Sequence, residues 1–122
     1  MAGEVQDWLE RQEPEARAGI ERLRETVTAV PAAWAESIKW NAPSFAVGGQ
    51  DRVTLGLDRN GGWRLVLHRG AARASGVAFR DAAGLARWPS PDRGVVQFRT
   101  LDDIARARPD LFRLISDWVA AG

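Results

Sequence analysis

Residues 53–68, VTLGLDRNGGWRLVLH, decide the fold. Val53, Leu55 and Leu57 alternate with Thr54, Gly56 and Asp58, and Trp63, Leu65 and Leu67 alternate with Arg64, Val66 and His68. A period of two belongs to a strand with one buried face, because successive side chains point to opposite sides of a sheet. Between the two runs lies RNGG, and Asn-Gly between alternating apolar residues is the strongest short hairpin signal. The stretch therefore predicts an antiparallel hairpin whose odd-numbered side chains share the buried face. Ahead of it, residues 36–40 and 44–47 read as two shorter strands, separated by Asn41-Ala42-Pro43, and 47–51 reads as a turn. Residues 94–98, GVVQF, supply a further strand, for a sheet of about five.

On either side the period lengthens. Val5, Trp8, Leu9 and Gln12 follow helical spacing over 4–12. Pro14 then opens a second helix, since proline is tolerated in a first helical turn. Ala16, Ile20, Leu23, Val27 and Val30 make its apolar stripe, and Pro31 ends it. Thr100 followed by Asp103 resembles a capping box, and Pro109 is read as opening the last helix, with Leu111, Leu114, Ile115, Trp118 and Val119 inward. From Gly70 to Arg93 the apolar residues scatter, with at most a turn of helix around Asp81–Arg87. The expectation is one α+β domain over 1–122: an antiparallel sheet flanked by N- and C-terminal helices.

Composition excludes several functions. The chain has 122 residues, a net charge of +1 and no cysteine. Disulfides, thiolate metal sites, iron–sulfur clusters and cysteine nucleophiles are thereby removed. Near-neutral charge gives no bulk attraction to nucleic acid or to an acidic membrane. Lys39 is the only lysine among 17 basic residues, a bias read as codon usage rather than recognition chemistry. The opening MAGEVQDWLE is not patterned as a signal peptide, and no run approaches the roughly 20 apolar residues of a membrane span. A cytoplasmic protein is expected.

The stretch IKWNAPSF, 38–45, resembles the Lys-Trp-Gly-x-Pro-x-Phe signature of the YdhG-like domains, a bacterial family of unknown function. RLVLHRGAA, 64–72, is similar to that family's strand ending in an aromatic or His before Arg-Gly-Ala, and GVVQFRTLDDI with the final helix follows in the family's order. The likeness runs from about Val5 to Val119. Asn41 stands where the family often has Gly, and residues 73–93 match nothing in it. The resemblance implies a frataxin-like fold and raises iron handling as a function. For iron, the acids at Glu4, Asp7 and Glu10 would be the ligands, yet Arg11, Arg17, Arg22 and Arg24 lie among the neighbouring acids and can pair with them. A solvated helix face is the simpler account.

His68 is the sole histidine, so no His-rich metal site and no His-Glu-x-x-His motif can form. None of the serines sits in a Gly-x-Ser-x-Gly elbow. The paired glycines at 48–49 and 61–62 lie between strands and read as turns, not phosphate cradles. Trp8, Trp63 and Trp118 fall on buried stripes, which argues against a stacking platform for nucleic acid. Trp40 is placed with Ile38 under a helix, and Lys39 on the other face near Arg64 and His68. That face, with Val66 between them, suits a small anionic or amphipathic ligand. The candidate residues are Lys39, Trp40, Asn41, Arg64, His68, Arg69 and Trp88, the last with the loose segment as a lid. The expected function is a non-enzymatic binding module for a small ligand or protein partner, with no cofactor, nucleic acid or membrane. The alternatives are an iron-binding chaperone and a homodimeric interaction protein.

Overall fold

The computed structural model describes residues 3–68 and 79–121. They form an α+β fold in the order α1 (Gly3–Glu10), α2 (Pro14–Ala29), β1 (Trp34–Lys39), β2 (Ala42–Val47), β3 (Gln50–Leu57), β4 (Trp63–His68), β5 (Arg87–Ser90), β6 (Arg93–Phe98) and α3 (Leu101–Ala121). The six strands make one antiparallel sheet in the order β1-β2-β3-β4-β6-β5. The sheet thus has one strand more than the sequence predicted. The addition is β5, RWPS, whose proline and single large apolar residue carry no alternating pattern, so its pairing with β6 is what makes it a strand. Where a helical turn was expected around Asp81–Arg87, the chain instead makes a tight turn at Asp81–Gly84 and runs into β5.

The hairpin β3–β4 pairs Val53 with Leu67, Leu55 with Leu65 and Leu57 with Trp63. Val53, Leu55, Trp63, Leu65 and Leu67 are all buried, and only Leu57 emerges as the strand leaves the sheet. Its loop is longer than two residues: the Gly61 N–H donates to Asp58 O and the Asp58 N–H donates to Gly62 O. Gly61 and Gly62, at φ 89° and 91°, rather than Asn60, adopt the left-handed conformation. A Cβ at Gly62 would also lie 2.2 Å from the Phe98 carbonyl oxygen, so the β6 backbone passes where a side chain would be.

Helices α2 and α3 cover the odd-residue face. Ile20, Leu23 and Val27 of α2 meet Leu111, Ile115 and Trp118 of α3 over Phe45, Val53, Leu65 and Leu67, all at 0% exposure. Helix α2 opens at Pro14 behind the extended Glu13, as its sequence indicates. Helix α3 starts with a reciprocal cap: Thr100 Oγ1 accepts from the Asp103 N–H, and Asp103 Oδ2 accepts from the Thr100 N–H. It then runs unbroken through Pro109, which the sequence had suggested as a helix start. Interior proline costs about 3 kcal/mol. Here the stripe Ile104, Leu111, Leu114, Ile115 and Trp118 stays in phase across it, and Pro109 and Ala105 are exposed, so water can reach the orphaned Ala105 carbonyl. Packing on the inner side outweighs the local preference. Among the described residues, no helix is long and apolar enough to cross a membrane.

Strand β3 carries a β-bulge. Phe45 pairs with Val53 but Ala46 pairs with Asp51, so the register skips Arg52, the extra residue of the bulge. The extra residue breaks the alternation, so Arg52 and Val53 both turn toward the helices. Arg52 is 5% exposed, donates from Nη2 to the Trp118 carbonyl at 2.6 Å and lies 5.9 Å from the Trp118 ring centre. Asp51 is thereby sent to the opposite face.

Candidate functional site

That opposite face holds a cleft of about 490 Å³. Its floor is Thr54 and Gly56 of β3 with Arg64, Val66 and His68 of β4, and Arg93 of β6 lies beside His68, its pairing partner. Trp8, Gln12, Trp40, Asn41 and Ala42 form a wall. Gly56 matters for its missing side chain, because a Cβ there would sit 3.3 Å from Arg64 Nε. Arg64 and Arg93 make no ion pair or side-chain hydrogen bond among the described residues.

Trp40 and Asn41 are the two loop residues of the β1–β2 hairpin, between the paired Lys39 and Ala42. Both are left-handed, at φ 53° and 58°, as a type I′ turn requires. Asn41 takes that conformation readily, but a bulky side chain does so at a cost of about 1–2 kcal/mol. The turn reverses the expected placement of Trp40. It does not lie under a helix; it is 72% exposed and stands edge-on to His68, with ring centres 5.8 Å apart. The cause is the turn itself, which takes Trp40 out of the alternation that fixes Ile38 inward. Helix α1 braces the turn, as the Trp8 indole N–H donates to the Asn41 carbonyl at 2.9 Å.

We expect Trp40→Asn to raise stability by about 1 kcal/mol, because relief of the left-handed conformation exceeds the loss of a mostly solvated ring contact. Urea unfolding monitored by circular dichroism would read this. A fall in the midpoint would mean that Trp40 is held for its packing.

Beneath Trp40 a chain of polar contacts crosses four strands. Lys39 Nζ lies 2.7 Å from Asp51 Oδ2, and Ser44 Oγ donates to Asp51 Oδ1 at 3.1 Å. Ser44 Oγ and Thr54 Oγ1 are 3.0 Å apart, and Thr54 Oγ1 is 2.8 Å from His68 Nε2. Burial pushes the His68 imidazole below its ordinary 6.5; the Asp51 carboxylate opposes this, and Arg93, Arg52 and Lys39 add to the depression. The ring is therefore neutral at pH 7.

Of the sequence candidates, Trp40, Asn41, Arg64 and His68 converge on the cleft. Lys39 does not line it: its ammonium turns to Asp51, so it reaches His68 only through the relay. Trp88 cannot act as the lid. Its ring packs 5.4 Å from Trp118 and 5.6 Å from Phe79 on the helix side, and its indole N–H donates to Asp81. Gly94, paired with the inward-facing Leu67, gives it room, since a Cβ at Gly94 would lie 2.8 Å from that ring. Arg69 lies outside the described residues. Thr54, Gly56 and Arg93 were not singled out from the sequence. Thr54 and Gly56 were legible as the even positions of β3, whereas Arg93 joins only through the long-range β4–β6 register. Among the described residues, no three His, Cys, Asp or Glu side chains form a group able to hold a metal ion. Glu4, Asp7 and Glu10 are exposed on α1, and Glu10 accepts a hydrogen bond from Gln6.

No family model, curated protein or solved structure matches the chain.

Proposed function

We propose that the cleft binds a small anion with a flat apolar part, and that the protein is a non-enzymatic binding module. The observation that carries this is the convergence of Arg64 and Arg93, neither in an ion pair among the described residues, on a cleft that also collects apolar surface. Trp40, 72% exposed, and the half-buried Val66 line it. Arginine offers a fork suited to carboxylate or phosphate, and an indole edge or face accepts a planar ring. A backbone strained at Trp40 fits a residue retained for contact rather than for stability. The likeness of IKWNAPSF to the YdhG-like signature supports membership of that family and a frataxin-like architecture.

The test is calorimetric titration with phenylacetate, indole-3-acetate, acetate and inorganic phosphate. An aromatic carboxylate should bind more tightly than acetate. Removing one charged hydrogen-bond partner is worth about 1.5–3 kcal/mol, so Arg64→Ala with Arg93→Ala should weaken binding by about tenfold to a hundredfold or more. Binding that survives the double substitution would place the anion elsewhere, and absence of binding to every probe would remove the proposal.

A further inference from the structure

We infer that the cleft selects, among flat anions, those that also carry a hydrogen-bond donor, because the relay from Asp51 holds His68 with its proton on Nε2 and leaves Nδ1 as an acceptor. This rests on the anion-binding reading above and narrows its ligand class.

The polarity of the relay follows from counting hydrogens. A carboxylate only accepts, and a serine or threonine hydroxyl has a single proton to give. Asp51 takes the Ser44 proton, at 3.1 Å. Ser44, its proton committed, can meet Thr54 Oγ1 at 3.0 Å only by accepting, so the Thr54 proton points at Ser44. Thr54 can then meet His68 Nε2 at 2.8 Å only by accepting as well. The imidazole must donate from Nε2. Lys39, on the second Asp51 oxygen at 2.7 Å, holds the charge that starts the sequence.

A neutral imidazole carries one proton, so Nδ1 is left with a lone pair. It has no hydrogen-bond partner among the described residues, and it is not a buried unpartnered atom, so solvent reaches it. His68 lines the cleft between Trp40 and Arg93. A ligand whose anion meets a guanidinium therefore finds an acceptor nearby, which a hydroxyl or ring N–H satisfies and an ether or N-methyl group does not.

His68 is the sole histidine, so nitrogen NMR on protein labelled at histidine reads one ring without overlap. The expected spectrum of the ligand-free protein at pH 7.5 has a protonated Nε2 and an unprotonated Nδ1. The functional arm is titration with indole-3-acetate and its N-methyl analogue. The N–H compound should bind about three- to tenfold more tightly. Thr54→Val removes the acceptor that pins Nε2–H and should bring the two affinities together. A protonated Nδ1, equal affinities in the wild type, or a preference unchanged by Thr54→Val would each overturn the inference without touching the anion reading. Failure of both probes to bind would overturn the inference, and failure of phenylacetate, acetate and phosphate as well would remove the anion reading.

Discussion

Trp118→Ala is expected to cost about 3–5 kcal/mol, a large share of the roughly 5–15 kcal/mol that stabilises a domain. Trp118 is 0% exposed and holds together parts of the chain that are distant in sequence. Its ring lies 5.0 Å from Phe79 and 5.4 Å from Trp88, and the Arg52 guanidinium lies over it. Its indole N–H donates to the His68 carbonyl at 3.2 Å, reaching through the sheet to the backbone of the cleft. Alanine would leave a void against the aromatic rings and a buried cation facing it. Trp118→Phe keeps most of the burial and loses the indole hydrogen bond to the His68 carbonyl, so it should cost distinctly less. Urea unfolding of the two variants checks the order. Equal midpoints for Trp118→Ala and the wild type would mean that this aromatic cluster is not part of the cooperative core.

Gly19→Ala is expected to destabilise as well, although alanine is the better helix former by about 1 kcal/mol. Gly19 lies in α2 directly against the Trp63 indole, and a Cβ would fall 2.1 Å from ring atom Cε2. Both rings of the indole are fixed: Trp63 is 3% exposed, and its N–H donates to the Ala16 carbonyl at 2.9 Å. The ring would have to withdraw, giving up a hydrogen bond worth about 0.5–1.5 kcal/mol and incurring overpacking of about 1–3 kcal/mol. The sum exceeds the propensity gain. A melting temperature that rises in Gly19→Ala would show that Trp63 relocates without strain.

What could be read in the sequence was what depends on near neighbours. The alternation at 53–68 places Arg64, Val66 and His68 on one face and Leu65 and Leu67 on the other, and the pairing agrees. Pro14 and the Thr100–Asp103 cap are likewise local, and each stands where its chemistry indicates. The sequence misled where distant contacts decide. Pro109 is tolerated because a stripe already packed on both sides of it leaves the helix no better course. RWPS becomes a strand because β6 offers an edge. Trp40 looked like the next inward residue after Ile38, but the tight turn ended the alternation one residue earlier. The relay was hidden for a related reason. Asp51 has the parity of Val53 and Leu55, so by simple alternation it belongs in the core, and only the bulge at Arg52 carries it to Ser44.

The same bulge says something about how this strand tolerates changes of length. Arg52 is supernumerary: Val53 and Asp51 already face opposite sides, as adjacent residues of a regular strand would. Loss of Arg52 would straighten β3 and keep every neighbour on its present face. Loss of Thr54 would shift the upstream half by one place and exchange its two faces. When this chain is aligned with a relative whose third strand is one residue shorter, the gap belongs at position 52.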